Sequence, residues 1–408
     1  MSEAMRFMSS NYRLLSVIFF VYFMAWSFSF SLFPIWLSQE VGLSGEEVGI
    51  VFSINSLMAL FIMPYYGIFQ DKLGLKKTLL YFIVSFMLLI GPFVNYVYEP
   101  LLHNYFYVAV VLGGLVFSFA FLAGVGVLES YIDKQSRIAN FEFGKARMWG
   151  SFGWALASYF TGLSFNHDPN LNYWLSSIAA VCLIGLLFFV KVNLPNQDVS
   201  QPCFVSISRQ CKEFMEITGL WRLSVFVVGV SCIYGVFDQQ FAIYYTTFFA
   251  TQELGREYFG YLTSAQVILE AFAMYLAVKW VNKLGVKSSL LLSGVLMALR
   301  IYFSGVVEDA WGISFLKLTH AIELPLMLIA LFKYINMHFE AKYSAMIYII
   351  GFQFTVQLMA SILAIIVGGI YDQLGYALTY QYLGMIVCVF IVVSCFVLKA
   401  DIAKKNLV

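Results

Sequence analysis

Charge is what this sequence lacks. Asp, Glu, Lys and Arg make up 12% of its 408 residues, about half the ~25% of an ordinary soluble protein. A chain of this length cannot hide a hydrophobic content of 61% behind so few charges in water. That excludes a soluble globular enzyme, a disordered tail and a collagen-like fibre. Neither sign dominates: 24 basic and 23 acidic residues leave +1, so no basic surface is present to attract nucleic acid. Cysteine is sparse too. Cys182, Cys203, Cys211, Cys232, Cys388 and Cys395 show neither zinc nor redox spacing and read as small apolar residues. His-Glu-x-x-His and Gly-x-Ser-x-Gly are both missing, so an intramembrane hydrolase or transferase has no signature to rest on. Gly124-Val-Gly126 has no preceding strand to make it a dinucleotide loop and suits close helix packing instead. No enzyme activity, metal or organic cofactor is expected.

Long apolar runs are what the sequence has. Twelve can be counted, at roughly 14–37, 48–69, 78–97, 105–130, 148–166, 172–191, 222–247, 258–279, 289–307, 312–333, 344–370 and 378–399. Each can cross a hydrocarbon core as a helix of about 20 residues, the form that satisfies its own backbone in lipid. A β-barrel would need alternating strands of about 10 residues, and these runs are continuous. The fold class is therefore an all-α polytopic membrane protein with twelve transmembrane helices. Twelve spans and their loops leave nothing over for a soluble domain.

Alternate loops are basic. One set carries Lys72, Lys76 and Lys77; Lys134, Arg137 and Lys145; Arg209 and Lys212; Lys279, Lys283 and Lys287; and Lys342. The other set holds a single base, Arg256, among Glu40, Glu46, Glu47, Glu99, Asp168, Glu308, Asp309 and Asp372. Positive loops face the cytoplasm, so both termini are expected inside a bacterial cytoplasmic membrane. The first run is too long for a cleaved signal peptide.

The longest polar stretch, 192–221 with Pro195 and Pro202, falls six spans from either end. It divides the chain into an N-terminal six-helix bundle at 1–194, a cytoplasmic linker at 195–221 and a C-terminal six-helix bundle at 222–408. An internal repeat supports the division: Asp71-Lys72-Leu-Gly74-Leu-Lys76 follows the second run, and Asn282-Lys283-Leu-Gly285-Val-Lys287 follows the eighth. A tight basic turn would explain either loop alone. The pair, with Gly67 ahead of the first, resembles the loop signature of the major facilitator superfamily, whose architecture is two parallel six-span halves.

Ionisable groups inside a span are costly and face a cavity or a partner. Glu129, Arg147, Asp238, Glu270, Arg300, Lys317, His320 and Glu323 are the conspicuous ones. Snorkelling from a span end would account for Glu129 and Arg147 singly. Trp154, however, lies seven residues after Arg147 and so on the same helix face. An acid, a guanidinium fork and a flat indole suit a sugar, with charged hydrogen bonds to hydroxyls and stacking on the apolar ring face; an interfacial anchor is the plainer role for a lone Trp. Lys317, His320 and Glu323 recur every three residues in one sector of the tenth run. Asp238 with Lys317 fits a structural charge pair. Four acids (Glu129, Asp238, Glu270, Glu323) face three bases (Arg147, Arg300, Lys317), so one proton makes the set neutral. Desolvation favours the neutral form of a buried acid without its own base, which describes a proton-binding site.

Three stretches carry a closer resemblance: Asn140-Phe-Glu-Phe-Gly-Lys-Ala-Arg147-Met-Trp-Gly-Ser-Phe-Gly-Trp154, Phe237-Asp238-Gln-Gln-Phe241 and Lys317-Leu-Thr-His320-Ala-Ile-Glu323-Leu-Pro325. The chain resembles the lactose permease and sucrose permease group of proton-coupled oligosaccharide symporters over nearly its whole length. That resemblance implies a disaccharide imported with a proton, the proton being the coupling ion. It implies sugar binding by Glu129, Arg147, Trp154 and Glu270, and proton coupling by Glu323, His320 and Arg300. It also implies a lipid-embedded chain that works as a monomer. There are departures. The Asp–Lys pair that lactose permease carries between spans 7 and 11 is matched here by Gly235 and Val356, and Glu270 sits about one turn later, as in the sucrose permease pattern. Sucrose is expected ahead of a galactoside such as lactose. An uncoupled facilitator or sensor of the same fold is the alternative, against which the crowded tenth run argues.

Overall fold

A computed structural model describes residues 3–139, 141–190, 217, 219–340, 343 and 347–401. Most of the expected linker at 195–221 lies outside the described residues, as do Asn140, Lys342, Cys203 and Cys211.

Ten stretches are long and apolar enough to cross a membrane. The last of them, Gly351–Val397, is two helices: Gly375, at φ +76°, breaks it. Helix Phe143–His167 adds one more. Its apolarity is diluted by Lys145, Arg147, Ser151, Ser158 and Thr161, and it begins five residues before the expected run. The twelve helices are α1 (Asn11–Glu40), α2 (Gly45–Gln70), α3 (Thr78–Asn104), α4 (Phe106–Ile138), α5 (Phe143–His167), α6 (Leu171–Phe189), α7 (Leu220–Thr246), α8 (Gln252–Leu284), α9 (Val286–Ser304), α10 (Ala310–His338), α11 (351–374) and α12 (376–397). They form two halves, α1–α6 and α7–α12.

The repeat seen in sequence is a repeat of contacts. Lys77 Nζ donates to the carbonyls of Leu187 and Val190 at 2.8 and 3.1 Å, closing the end of α6. Lys287 Nζ does the same at the end of α12, to Cys395 and Leu398 at 2.7 and 2.8 Å. A cation on the last carbonyls of a helix complements its dipole. The loop alignment pairs Lys287 with Lys76, yet Lys77 makes the contact; α3 begins four residues after Gly74, whereas α9 begins one residue after Gly285.

The halves meet along two seams, α2 against α11 and α5 against α8. Each closes backbone to backbone at a glycine. A Cβ at Gly49 would run into the Ala364 carbonyl, and one at Gly260 into that of Ser158. These glycines are 211 positions apart, as are Lys72 and Lys283. Polar contacts reinforce the same end of the molecule. Arg256 of α8 donates through Nε to Gln39 at 2.9 Å and lies 3.4 Å from Glu40. Gln39 in turn donates to Thr246 at 3.1 Å, and Ser53 Oγ donates to the Ser361 carbonyl. The end of the molecule opposite the basic loops is therefore shut.

Candidate functional site

In the first half, Glu129 of α4 and Arg147 of α5 meet. Nε donates to Glu129 Oε1 at 2.6 Å. The longer α5 places Arg147 inside the helix, where its guanidinium lies 4.1 Å from the centre of the Phe23 ring of α1. That is a cation–π contact, stronger where water is thinned. The pair is not sealed: about a third of each side chain is exposed, 33% and 36%. Two turns along α5, Trp154 packs edge-on to Trp26, with centroids 5.5 Å apart and planes at 78°. Trp26 stacks on Phe121 of α4 at 10°. Ser27 fixes the backbone behind the indole by donating to the Trp154 carbonyl at 3.1 Å. A carboxylate, a guanidinium and an aromatic wall thus line one region.

In the second half, Lys317 of α10 donates to Asp238 Oδ1 of α7 at 3.1 Å and lies over Phe241 and Phe259. Its side chain is 5% exposed while that of Asp238 is 37% exposed. This asymmetry predicts unequal single replacements. Asp238→Asn strands a buried ammonium and is expected to cost ~3–5 kcal/mol. Lys317→Met leaves a wetter carboxylate and should cost clearly less, and the double replacement less than Asp238→Asn alone. Melting temperatures of the detergent-solubilised variants check this; equal penalties that add in the double variant would contradict it.

Nearly two turns further along α10, the groups are dry. Arg300 of α9 and Glu323 of α10 are 1% and 0% exposed, with Nε 2.6 Å from Oε1. Among the described residues Arg300 Nη1 and Nη2 and Glu323 Oε2 have no well-aligned hydrogen-bond partner. His320 bridges, with Nδ1 3.0 Å from Glu323 Oε1 and Nε2 3.0 Å from the hydroxyl of Tyr234. With Glu323 ionised, Nδ1–H donates to the carboxylate and Tyr234 donates to Nε2. With Glu323 protonated, both bonds can reverse without adding charge to the ring. The geometry accommodates either proton count. Glu270 of α8 lies near enough to His320, Lys317 and Asp238 in its own half and to Arg147 of the other half to feel their charges.

Eight of the nine residues singled out in sequence are brought together with one another: Glu129, Arg147 and Trp154 in one region, Glu323, His320 and Arg300 in another, and Asp238 with Lys317; Glu270 makes no hydrogen bond or ion pair with any of them. Tyr234 is a functional neighbour that the sequence does not distinguish among 26 Tyr. Phe23 and Trp26 carry no signal, since aromatics are everywhere in this chain. Among the described residues no group of His, Cys, Asp and Glu side chains could hold a metal ion.

The family model described as LacY proton/sugar symporter matches residues 4–407. The raffinose permease of Escherichia coli is 38% identical over 406 residues, covering 98% of this chain and 96% of the relative. The sucrose permease of Escherichia coli is 38% identical over 399 residues, covering 96% and 95%. Among solved structures, that of the nucleoside transporter NupG superposes with a TM-score of 0.78 at 14% identity, over 96% of this chain and all of that one. At that identity the likeness speaks for the fold alone: two six-helix bundles of the major facilitator type.

Proposed function

We propose, from the premise that this chain belongs to the LacY proton/sugar symporter family, that its substrate is a disaccharide, sucrose ahead of a galactoside, taken into the cell with a proton. The protein is a multi-pass membrane transporter and not an enzyme. What carries the finer reading is the contrast between the two clusters. The Glu129–Arg147 pair is one-third exposed beside an aromatic wall, whereas Arg300 and Glu323 are sealed. A sugar needs a wet site with charged hydrogen-bonding groups; a coupling proton needs a dry one. Glu129, Arg147 and Trp154 bind one ring, Glu270 reaches the substrate from the other half, and Glu323 carries the proton with His320 orienting it and Arg300 as its counter-charge. Asp238 and Lys317 hold α7 to α10.

The basic loops face the cytoplasm in this reading, with both termini inside a bacterial cytoplasmic membrane. The shut end is then the outer one, and the site opens inward. The bundles at 1–194 and 222–408, joined by a cytoplasmic linker at 195–221, rock against each other within a single monomer. Uptake of labelled sucrose, raffinose, melibiose and lactose into cells, with external pH recorded, tests the proposal. Accumulation of a disaccharide with alkalinisation of the medium is expected; uptake that neither moves protons nor responds to an uncoupler would make the chain a facilitator. Trp154→Phe keeps a ring but loses area, and the selected sugar should bind about two- to fivefold more weakly, as read by equilibrium binding.

A further inference from the structure

The first turn of α2 is gripped by the opposite half at a residue none of the functional assignments uses. Asp372, in the last turn of α11, accepts from the backbone N–H groups of Gly45 and Glu46, both at 2.8 Å. Gln240 of α7, 2% exposed, donates through Nε2 to the Gly45 carbonyl at 2.8 Å. Gly45 is thus held by both its N–H and its C=O. Tyr376 donates to Gln240 Oε1 at 3.0 Å and orients the amide; the break at Gly375 sets Tyr376 close beyond Asp372 in the chain. Any Cβ at position 45 would strike the Asp372 carboxylate.

The helix does not need this grip for its own start. Ser44 and Glu47 already form a reciprocal capping box within the first half, at 3.2 and 2.9 Å. The contact from the second half is surplus to the fold of α2. It draws on the free N–H groups and positive end of the helix dipole, and Asp372 is exposed enough to be rehydrated when released. A contact of this kind can be made and broken without unfolding either half.

We propose that Asp372 and Gln240 are positioning residues for transport: a two-sided clamp on Gly45 that holds the outer face closed and must release for sugar to enter. The inference rests on the sidedness given above. Asp401 provides an internal control. It caps the start of α9 in the same way, accepting from Val286 and Lys287 at 2.7 and 2.9 Å, but wholly within the second half.

The test is the rate at which a Cys at position 53, introduced as Ser53→Cys where Ser53 is 4% exposed in the α2–α11 seam, reacts with a membrane-impermeant maleimide. Intact cells report the outer side and inverted vesicles the inner side, in full-length protein with its native cysteines replaced by alanine. Asp372→Ala should speed outer labelling at least about fivefold and Asp372→Asn by less, since the amide keeps one acceptor without charge. Gln240→Leu should act in the same direction, and Asp401→Ala should leave the rate where it was. Outer rates unchanged by Asp372→Ala, or raised equally by Asp401→Ala, overturn the clamp. A reference protein that reacts from inverted vesicles alone overturns the sidedness, even if the variants still differ among themselves.

Discussion

Glu323→Gln is expected to abolish accumulation of sugar against a gradient while leaving sugar exchange across the membrane intact. The carboxyl is fully buried, with Arg300 and His320 as its immediate polar neighbours. An amide of nearly the same shape keeps the packing and can still hydrogen-bond His320, but it cannot gain or lose a proton. The four acids and three bases then count as permanently neutralised, the condition under which the halves can close around sugar and reopen. Exchange needs only that traffic of loaded carrier. Net uptake also requires the proton to leave, and the variant has none to give up. Accumulation should fall to the level of passive equilibration, while exchange of labelled for unlabelled sugar in vesicles stays within about threefold of the parent, the size of a ~0.6 kcal/mol perturbation. Active accumulation with normal alkalinisation would move the proton site, and Glu270 would be the next candidate.

Arg147→Ala is expected to abolish measurable sugar binding. The guanidinium serves three groups at once: Glu129 at 2.6 Å, the Phe23 ring and the sugar it is proposed to hold. Removing it takes away the bidentate donor and leaves Glu129 without its partner in a region only one-third open to water. Truncating one member of such a pair costs ~2–5 kcal/mol. Because the pair is partly hydrated, the lower half of that range is the better expectation, still a loss of about 30- to several-hundred-fold. Arg147→Lys keeps charge but not the fork, so it should recover only a small part. Calorimetric titration with the sugar selected by uptake gives the answer, and parent-like affinity in Arg147→Ala would remove Arg147 from the site.

Hydropathy makes the helices legible because lipid demands long apolar runs, and it fails where a helix is not lipid-facing throughout. That is why the apolar run of α5 starts late: Lys145 and Arg147 are inside the helix, one in its first turn and one turned to Glu129. The join between α11 and α12 is marked in sequence by the gap between the runs at 344–370 and 378–399, where Asp372 lies; what the structure adds is that a single left-handed glycine, Gly375, turns the chain there. The charged residues announce themselves by being out of place, and the spacing Lys317, His320, Glu323 tells that they share a sector. It does not give how closely Lys317 meets Asp238, the pair already expected, or how fully Glu323 is sealed against Arg300. Those partners come from α7 and α9, and their distances are properties of packing. Phe23 and Tyr234 are invisible for a related reason: 41 Phe and 26 Tyr supply too many equivalents for any one to stand out.

The glycine seams carry a kinetic consequence. Where two helices interlock through large side chains, sliding one past the other means lifting every side chain out of its socket, and each must change rotamer in a close-packed interior. At Gly49 and Gly260 there is no side chain to lift; backbone rests on backbone. Such a surface is smooth at the scale of the motion, and its friction is low. The passage between faces is then governed by a handful of polar fastenings at one rim, not by the greasy bulk of the interface. Turnover should therefore respond steeply to single polar substitutions there and only weakly to the size of apolar residues along the rest of α2 and α8.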